Sequence, residues 1–214
     1  LQMTYYLLFL VGAVGIYELI STLRKGQTTY ALITSLFLVM GAFCAALPQS
    51  SDLYLTQEYA LHTTRGEAIL TDPSAANTLL AEDGLSDYYI LEYSMAQGEW
   101  LSLLVPNIKG GSDPLYWGEQ RYSGGAFYFG AIAFALCLAF FFVGKDRIKW
   151  PLLCITLLAI LLSWRDTSFV SEFFINHFPL FNKFRDTKMM LVIVQVAVAT
   201  GATLALKQIW EETD

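Results

Sequence analysis

The sequence is poor in charged residues. Only 15% of its 214 residues are Asp, Glu, Lys or Arg, whereas soluble domains average about 25%. Hydrophobic residues make up 55%, and the mean hydropathy is +0.47. They come in long blocks, without the alternation of a strand or the stripe of an amphipathic helix. Such blocks predict transmembrane helices and argue against an ordinary soluble domain.

Several kinds of site are missing from the sequence. Its three cysteines, Cys44, Cys137 and Cys154, lie inside hydrophobic blocks and form neither a disulfide framework nor a zinc spacing. His62 and His177 stand alone, and there is no Gly-rich phosphate loop or internal repeat. We therefore expect no metal and no cofactor. The net charge of −6, with no basic stripe, argues against a nucleic-acid partner.

Five hydrophobic blocks approach the length that crosses a bilayer, about 20 residues. We predict an all-α integral membrane fold with about five transmembrane helices and a mostly helical external loop domain. The predicted spans are residues 3–23, 29–47, 123–143, 150–164 and 189–206. The fourth is short, and its flanking Lys149 and Arg165 would extend it by snorkelling.

The charges between the blocks predict an orientation. Arg24 and Lys25 follow the first block, and three basic residues with one acid lie within 145–149, so both loops are predicted to be cytoplasmic. Residues 48–122 hold 11 acids against Arg65, Lys109 and Arg121 and are predicted to be external.

The predicted parts follow in order along the chain. Residues 1–47 hold two spans (out to in to out), and 48–122 form the external loop domain. Residues 123–164 hold two more spans, 165–188 an external interfacial helix with a basic segment, and 189–214 the last span with a cytoplasmic tail. Alternation requires the external placement of 165–188, although this segment is basic. We expect a multi-pass protein of the bacterial cytoplasmic membrane.

A 75-residue external loop is too long to lack structure of its own. A helix is predicted over 52–63, with a turn at Asp83-Gly84. Ser94 and Gln97 have the spacing of a capping box, which predicts a helix over about 95–104. A further helix with Phe169, Phe173 and Phe174 on an apolar face is predicted to lie in the membrane interface.

Two predicted spans contain polar side chains that are candidates for function. Glu18 lies near the inner end of the first span and Gln195 lies in the middle of the last. The alternatives are snorkelling of Glu18 or its pairing with Arg24 or Lys25, and an interhelical hydrogen bond of Gln195.

Four motifs together resemble one protein family. They are Thr63-Thr64-Arg65-Gly66 with Leu70-Thr71-Asp72, Leu103-Leu104-Val105-Pro106-Asn107 with Gly110-Gly111, Tyr116-Trp117-Gly118, and Phe181-Asn182-Lys183-Phe184-Arg185 before the last span. Their order around the hydrophobic blocks is similar to that of the YfhO family of bacterial membrane proteins, in the form seen in Bacteroidetes. The resemblance covers nearly the whole chain.

The resemblance implies a GT-C type architecture that transfers a sugar from a polyprenyl-phosphate donor to a cell-envelope acceptor. In that superfamily the catalytic acid lies in the first external loop. The chain begins Leu-Gln-Met without a signal peptide, and we expect it to be a fragment that starts after that loop. The catalytic residue is therefore unknown, and membrane lipid and a polyprenyl-phosphate sugar are the expected partners.

Within that interpretation, the chain supplies groups that hold a ligand. Arg65, Lys183 and Arg185 are candidates for binding the lipid phosphate, because external basic residues are scarce and cations stabilise a phosphate. The two arginines can also form paired hydrogen bonds with phosphate. Arg65 and Arg185 are predicted to converge near the outer membrane surface.

Candidates for positioning the sugar are Trp100, Asn107, Tyr116 and Trp117. Salt bridges to loop acids, lipid headgroup contacts and interface anchoring are the alternatives for these residues. A lipid or polysaccharide transporter or flippase, or a non-enzymatic assembly protein that uses the external loop as a binding surface, remain alternatives for the whole chain.

Overall fold

A computed structural model describes residues 2–60, 80–81, 84–85, 87–96, 98–111, 114–120, 127–165 and 168–213. Helices dominate this part of the chain, and a two-residue antiparallel ladder pairs Leu80 with Leu85 and Ala81 with Gly84. The α-helices are α1 (Gln2–Arg24), α2 (Thr28–Ala46), α3 (Ser50–Ala60), α4 (Asp87–Leu91), α5 (Ala131–Val143), α6 (Lys149–Ser163), α7 (Ser168–His177) and α8 (Leu191–Thr213).

Three helical stretches are long and apolar enough to cross a membrane. They are Gln2–Arg24, Thr28–Asp52 and Thr187–Glu212, which have 23, 25 and 26 residues. The first and second are joined by a tight turn at Gly26, whose φ of 73° suits glycine because it has no Cβ. The chain is thus a helical protein of membrane type.

The helices α5 and α6 are shorter, with 13 and 15 residues. The predicted third span began at residue 123, and its first described residues contradict that start. Residues 127–130 are not helical, Gly130 has a φ of 89°, and the Phe129 N–H donates to the Leu103 carbonyl at 3.1 Å. This long-range bond holds the chain outside the helix until Ala131. Residues 121–126 lie outside the described part.

The helix α8 is the centre of the bundle. It pairs most extensively with α5 and next with α6, and half of its apolar stretch is buried. Gly201 allows the close approach of α5, since a Cβ at this position would lie 2.7 Å from the Cys137 Sγ. By contrast only 6% of the second apolar stretch, which contains α2, is buried.

Different segments of the chain lie at the two ends of the helix bundle. At the Gln2 end, the start of α1 meets residues 185–186, and Met95 bonds the last residue of α6. At the opposite end, the Lys145 Nζ pairs with Glu212 at 2.6 Å. The described residues of the segment 92–120 therefore lie at the same end as the segment that precedes α8.

The segment after Ser94 differs from its prediction. Met95 forms a β-bridge with Trp164, and a 3₁₀ helix runs over Glu99–Leu103 instead of an α-helix over 95–104. The Ser94 hydroxyl lies 2.7 Å from that of Thr187. A tertiary hydrogen bond has thus replaced the expected cap. Gln97 lies outside the described residues.

Two other predicted helices are observed. The helix α3 covers the predicted 52–63 helix as far as Ala60, where the described part stops. The helix α7 contains Phe169, Phe173 and Phe174, of which Phe174 is buried and the other two are exposed. Its position in a membrane interface stays a prediction.

Candidate functional site

A network of buried and partly buried polar groups covers the Gln2 end of the bundle. The Gln2 side-chain amide donates to the main-chain carbonyls of Arg185 and Asp186, at 2.6 and 3.1 Å. The Asp186 N–H in turn donates to the Ile90 carbonyl at 3.3 Å. These bonds fix the basic segment before α8 against both α1 and the end of α4.

Asp186 and Lys188 form an ion pair inside this network. The Lys188 Nζ lies 3.6 Å from Asp186 Oδ2, and the two side chains are only 9% and 16% exposed. Burial raises the pKa of Asp186, and the charge of Lys188 partly opposes that rise. Asp186 Oδ1 is buried without a hydrogen-bond partner among the described residues. Asp186 has a positive φ of 69°, which turns the chain into α8.

Arg185 is held by an aromatic ring. Its guanidinium carbon lies 3.8 Å from the ring centroid of Tyr93, a cation–π distance. The Tyr93 carbonyl accepts a hydrogen bond from Gln120 Nε2 at 3.3 Å. Arg185, which was predicted to bind phosphate, thus packs against Tyr93, and the main chain of Tyr93 is in turn bonded to Gln120.

Glu99 is a buried carboxylate in that next part, only 1% exposed. It accepts a hydrogen bond from the Tyr116 hydroxyl, which itself accepts from the Gln120 N–H at 2.9 Å. Burial, followed by the bond to Glu99, raises the pKa of Tyr116. A Cβ at Gly118 would collide with both the Tyr116 hydroxyl and Glu99. Tyr116 therefore stays neutral and acts as a hydrogen-bond donor to a fixed acid.

An apolar cavity of about 290 Å³ lies beside the network. Its lining comes from the segment that includes the 3₁₀ helix and from α5, α6 and α8: Met95, Ala96, Trp100, Leu103, Leu104, Phe129, Phe134, Cys137, Leu138, Phe141, Thr156, Ile160, Ser163, Trp164, Val194 and Val198. Nearly all of this lining is hydrocarbon or aromatic, which suits a lipid chain and not a sugar.

Met95 joins the cavity to the network. Its N–H donates to the Ser163 carbonyl at 2.9 Å, and its carbonyl accepts from the Arg165 N–H at 2.9 Å. The Arg165 guanidinium then donates to the Glu92 carbonyl at 2.9 Å. An apolar chamber and a charged, hydrogen-bonded surface thus share one wall.

The structure describes two of the three predicted phosphate-binding residues. Arg185 belongs to the network, and Lys183 lies half-buried in the 3₁₀ helix Phe181–Lys183 just before it. Arg65 lies outside the described residues, so its convergence with Arg185 stays a prediction. Lys188, three residues after Arg185, is buried and paired with Asp186.

Of the four predicted sugar-positioning residues, two lie at the network or the cavity and two are exposed on the surface. Tyr116 belongs to the network, and Trp100 lines the cavity while 47% exposed. Asn107 is exposed in a turn with a φ of 57°. Trp117 is 66% exposed, and the Lys109 Nζ lies 4.5 Å from its ring centroid. The structure groups Tyr116 with Arg185 and places Asn107 and Trp117 on the surface.

Sequence reasoning missed Glu99, Gln120 and Asp186 as members of the network. The residues next to Glu99 in sequence give no sign that it differs from the other acids of the 48–122 segment. Only its neighbours in three dimensions show that it is buried. The position of Asp186 between Arg185 and Lys188 was a signal, because an acid flanked by two bases is a natural partner for one of them.

Comparisons with known proteins leave the family open. No protein-family model, no curated protein and no solved structure matches the chain.

Proposed function

We propose that the chain belongs to a polytopic protein of the bacterial cytoplasmic membrane that binds a polyprenyl-phosphate-linked sugar at the outer face. The sugar would pass to an acceptor in the cell envelope, as the resemblance to the YfhO family and the GT-C architecture implies. In this proposal α5 and α6 are also spans, giving five, and residues 48–122 form the external domain. The three long apolar stretches support the membrane setting.

The observation that carries the proposal is the shared wall between the apolar cavity and the polar network. A polyprenyl phosphate has a long hydrocarbon chain and a charged head, so its site needs both environments side by side. The cavity takes part of the chain, and the network, with Arg185 at 3.8 Å from Tyr93, takes the head. A soluble sugar nucleotide would have no use for a hydrocarbon chamber.

The chemistry assigned to this chain is binding and stabilisation of charge. Breaking the bond between sugar and phosphate leaves charge on the phosphate oxygens, and a guanidinium stabilises that charge by paired hydrogen bonds. Arg185 has this role, with Lys183 and Arg65 as its proposed companions. Tyr116, and Trp100 through the part of its side chain that is exposed outside the cavity, are proposed to contact the sugar end of the ligand.

The acid that deprotonates the acceptor is not assigned within the described residues. Glu99 is engaged by Tyr116, and Asp186 is engaged by Lys188. Both are better suited to hold the network in place than to take a proton from an acceptor. Of the alternatives, a polysaccharide transporter is less well supported, because the hydrocarbon-lined cavity offers no polar path among the described residues.

Binding of a polyprenyl phosphate to the protein in lipid nanodiscs tests the proposal. Leu138 lines the cavity and is 39% exposed, so Leu138→Trp fills the chamber from its edge. The matched control, Ile132→Trp, changes a residue on the same helix that is 80% exposed and outside the cavity lining. We expect Leu138→Trp to weaken binding about tenfold, which is about 1.4 kcal/mol. Equal affinity in both variants would contradict the proposal.

A further inference from the structure

The groove between α1 and α2 contains the one ionisable side chain of a second cavity, Glu18. This cavity of about 400 Å³ lies at the opposite end from the polar network. Its lining is Leu10, Val11, Val14, Gly15, Glu18, Leu19, Thr22, Ala31, Thr34, Ser35 and Leu38. All of these residues belong to the two helices that form the hairpin.

Glu18 lies inside the span and lacks a counter-charge. It is six residues before Arg24, about 9 Å along the helix axis at 1.5 Å per residue. Among the described residues it has neither an ion pair nor a hydrogen bond, so the pairing with Arg24 or Lys25 is not formed there. A carboxyl group at this depth is costly in hydrocarbon and calls for a partner.

The outer surface of α2 is uncovered along most of its length. Large apolar side chains such as Leu32, Phe37 and Val39 are between 66% and 72% exposed. Lipid tails would cover these side chains equally well, but they offer nothing to a carboxylate. The side chains of Thr34 and Ser35 add polar groups on the α2 side of the groove. The groove therefore fits an apolar helix that also brings one positive charge.

We propose that a transmembrane helix with a lysine or arginine at the depth of Glu18 docks into the α1–α2 groove. Its basic side chain pairs with the Glu18 carboxylate, and its apolar side chains cover α2. This surface lies apart from the cavity and network at the Gln2 end and does not depend on the proposed function.

Energy transfer in phosphatidylcholine vesicles tests the proposal. The labelled protein is mixed with a synthetic Leu–Ala transmembrane peptide that carries one lysine two turns from its inner end, or with the same peptide carrying leucine there. We expect the lysine peptide to bind at least tenfold more tightly than the leucine peptide. Glu18→Gln should remove that difference, and Glu18→Asp should retain most of it.

The control variant is Ile16→Gln, which adds an amide on the same helix outside the groove lining, at a residue that is 60% exposed. It should bind the two peptides as the unchanged protein does. Equal binding of both peptides, or an unchanged preference in Glu18→Gln, would overturn the proposal. Association between two copies of the chain that excludes the lysine peptide would overturn it as well.

Discussion

The guanidinium group of Arg185 lies 3.8 Å from the centre of the Tyr93 ring. Stacking of this kind uses the face of the guanidinium, whereas bonds to phosphate use its N–H edge. The main chain of Arg185 is also fixed, because its carbonyl accepts from the Gln2 amide at 2.6 Å. A charge held in this way loses little conformational freedom when a ligand binds.

Arg185→Ala should weaken binding of a polyprenyl phosphate about tenfold and leave binding of the uncharged polyprenol unchanged. Arg185→Lys should lie between the two, because lysine keeps the charge but lacks the planar fork. Titration in nanodiscs measures both ligands. Lys207→Ala, a change of an exposed cation at the far end of α8, is the control. Loss of the folded state in both Arg185 variants would show instead that this arginine is structural.

The partly buried Asp186 should make stability depend on pH in a defined direction. Its folded pKa is raised above the unfolded value of about 3.9. The folded state therefore binds the proton more tightly, and this group's contribution to stability falls as pH rises from the unfolded to the folded pKa. Asp186→Asn should flatten that part of the curve, as measured by thermal unfolding in detergent between about pH 4 and pH 7.

The absolute stability of Asp186→Asn is a separate matter, since the substitution also removes the negative charge of the Asp186–Lys188 ion pair. The slope with pH is the decisive quantity. A slope identical to that of the unchanged protein would mean that Asp186 does not titrate as its burial requires.

The contact between Gly201 and Cys137 should set the spacing of α5 and α8. Gly201→Ala places a Cβ 2.7 Å from the Cys137 Sγ, which overpacks the interface and should cost about 1–3 kcal/mol. Adding Cys137→Ala removes the sulfur, so the double variant should recover much of the loss. Unfolding of the four proteins in one detergent gives the coupling energy. Simple additivity of the two effects would show that the helices have moved apart.

Labelling with a membrane-impermeant thiol reagent should report the predicted orientation. In a cysteine-free background, Glu119→Cys should react in intact cells, because the acidic segment is predicted to be external. Gln27→Cys, in the basic turn between α1 and α2, should react only after the membrane is opened. Both residues are exposed, and Gln27 avoids the strained backbone of Gly26. The reversed pattern would invert the proposed topology.

The helices and their apolar character were predictable from sequence, because length and hydropathy are local properties. The predicted spans beginning at residues 3 and 29 differ from α1 and α2 by a single residue at each end. Local sequence patterns gave wrong helix bounds where a residue distant in sequence forms a hydrogen bond with the segment. The Leu103 carbonyl holds Phe129 out of α5, and Thr187 takes the hydroxyl of Ser94 that was expected to cap a helix.

The candidate site was predictable only in part for the same reason. Scarcity of cations pointed to Arg185, and aromatic character pointed to Trp100 and Tyr116. Neither signal reveals that Glu99 is the acceptor of the Tyr116 hydroxyl, or that Lys188 is neutralised by Asp186. The apolar cavity has no sequence signal at all, because it is assembled from four separate segments.

Photo-crosslinking with two polyprenyl phosphates tests the central claim most directly, since it locates both ends of one ligand. One probe carries a diazirine in its chain and the other carries it next to the phosphate. The chain probe is expected to label α5 near Leu138 and the head probe to label the segments around Tyr93 and Arg185, with both signals strongly reduced in Leu138→Trp. Labelling by both probes confined to the exposed surface of α2, unchanged in that variant, would contradict it.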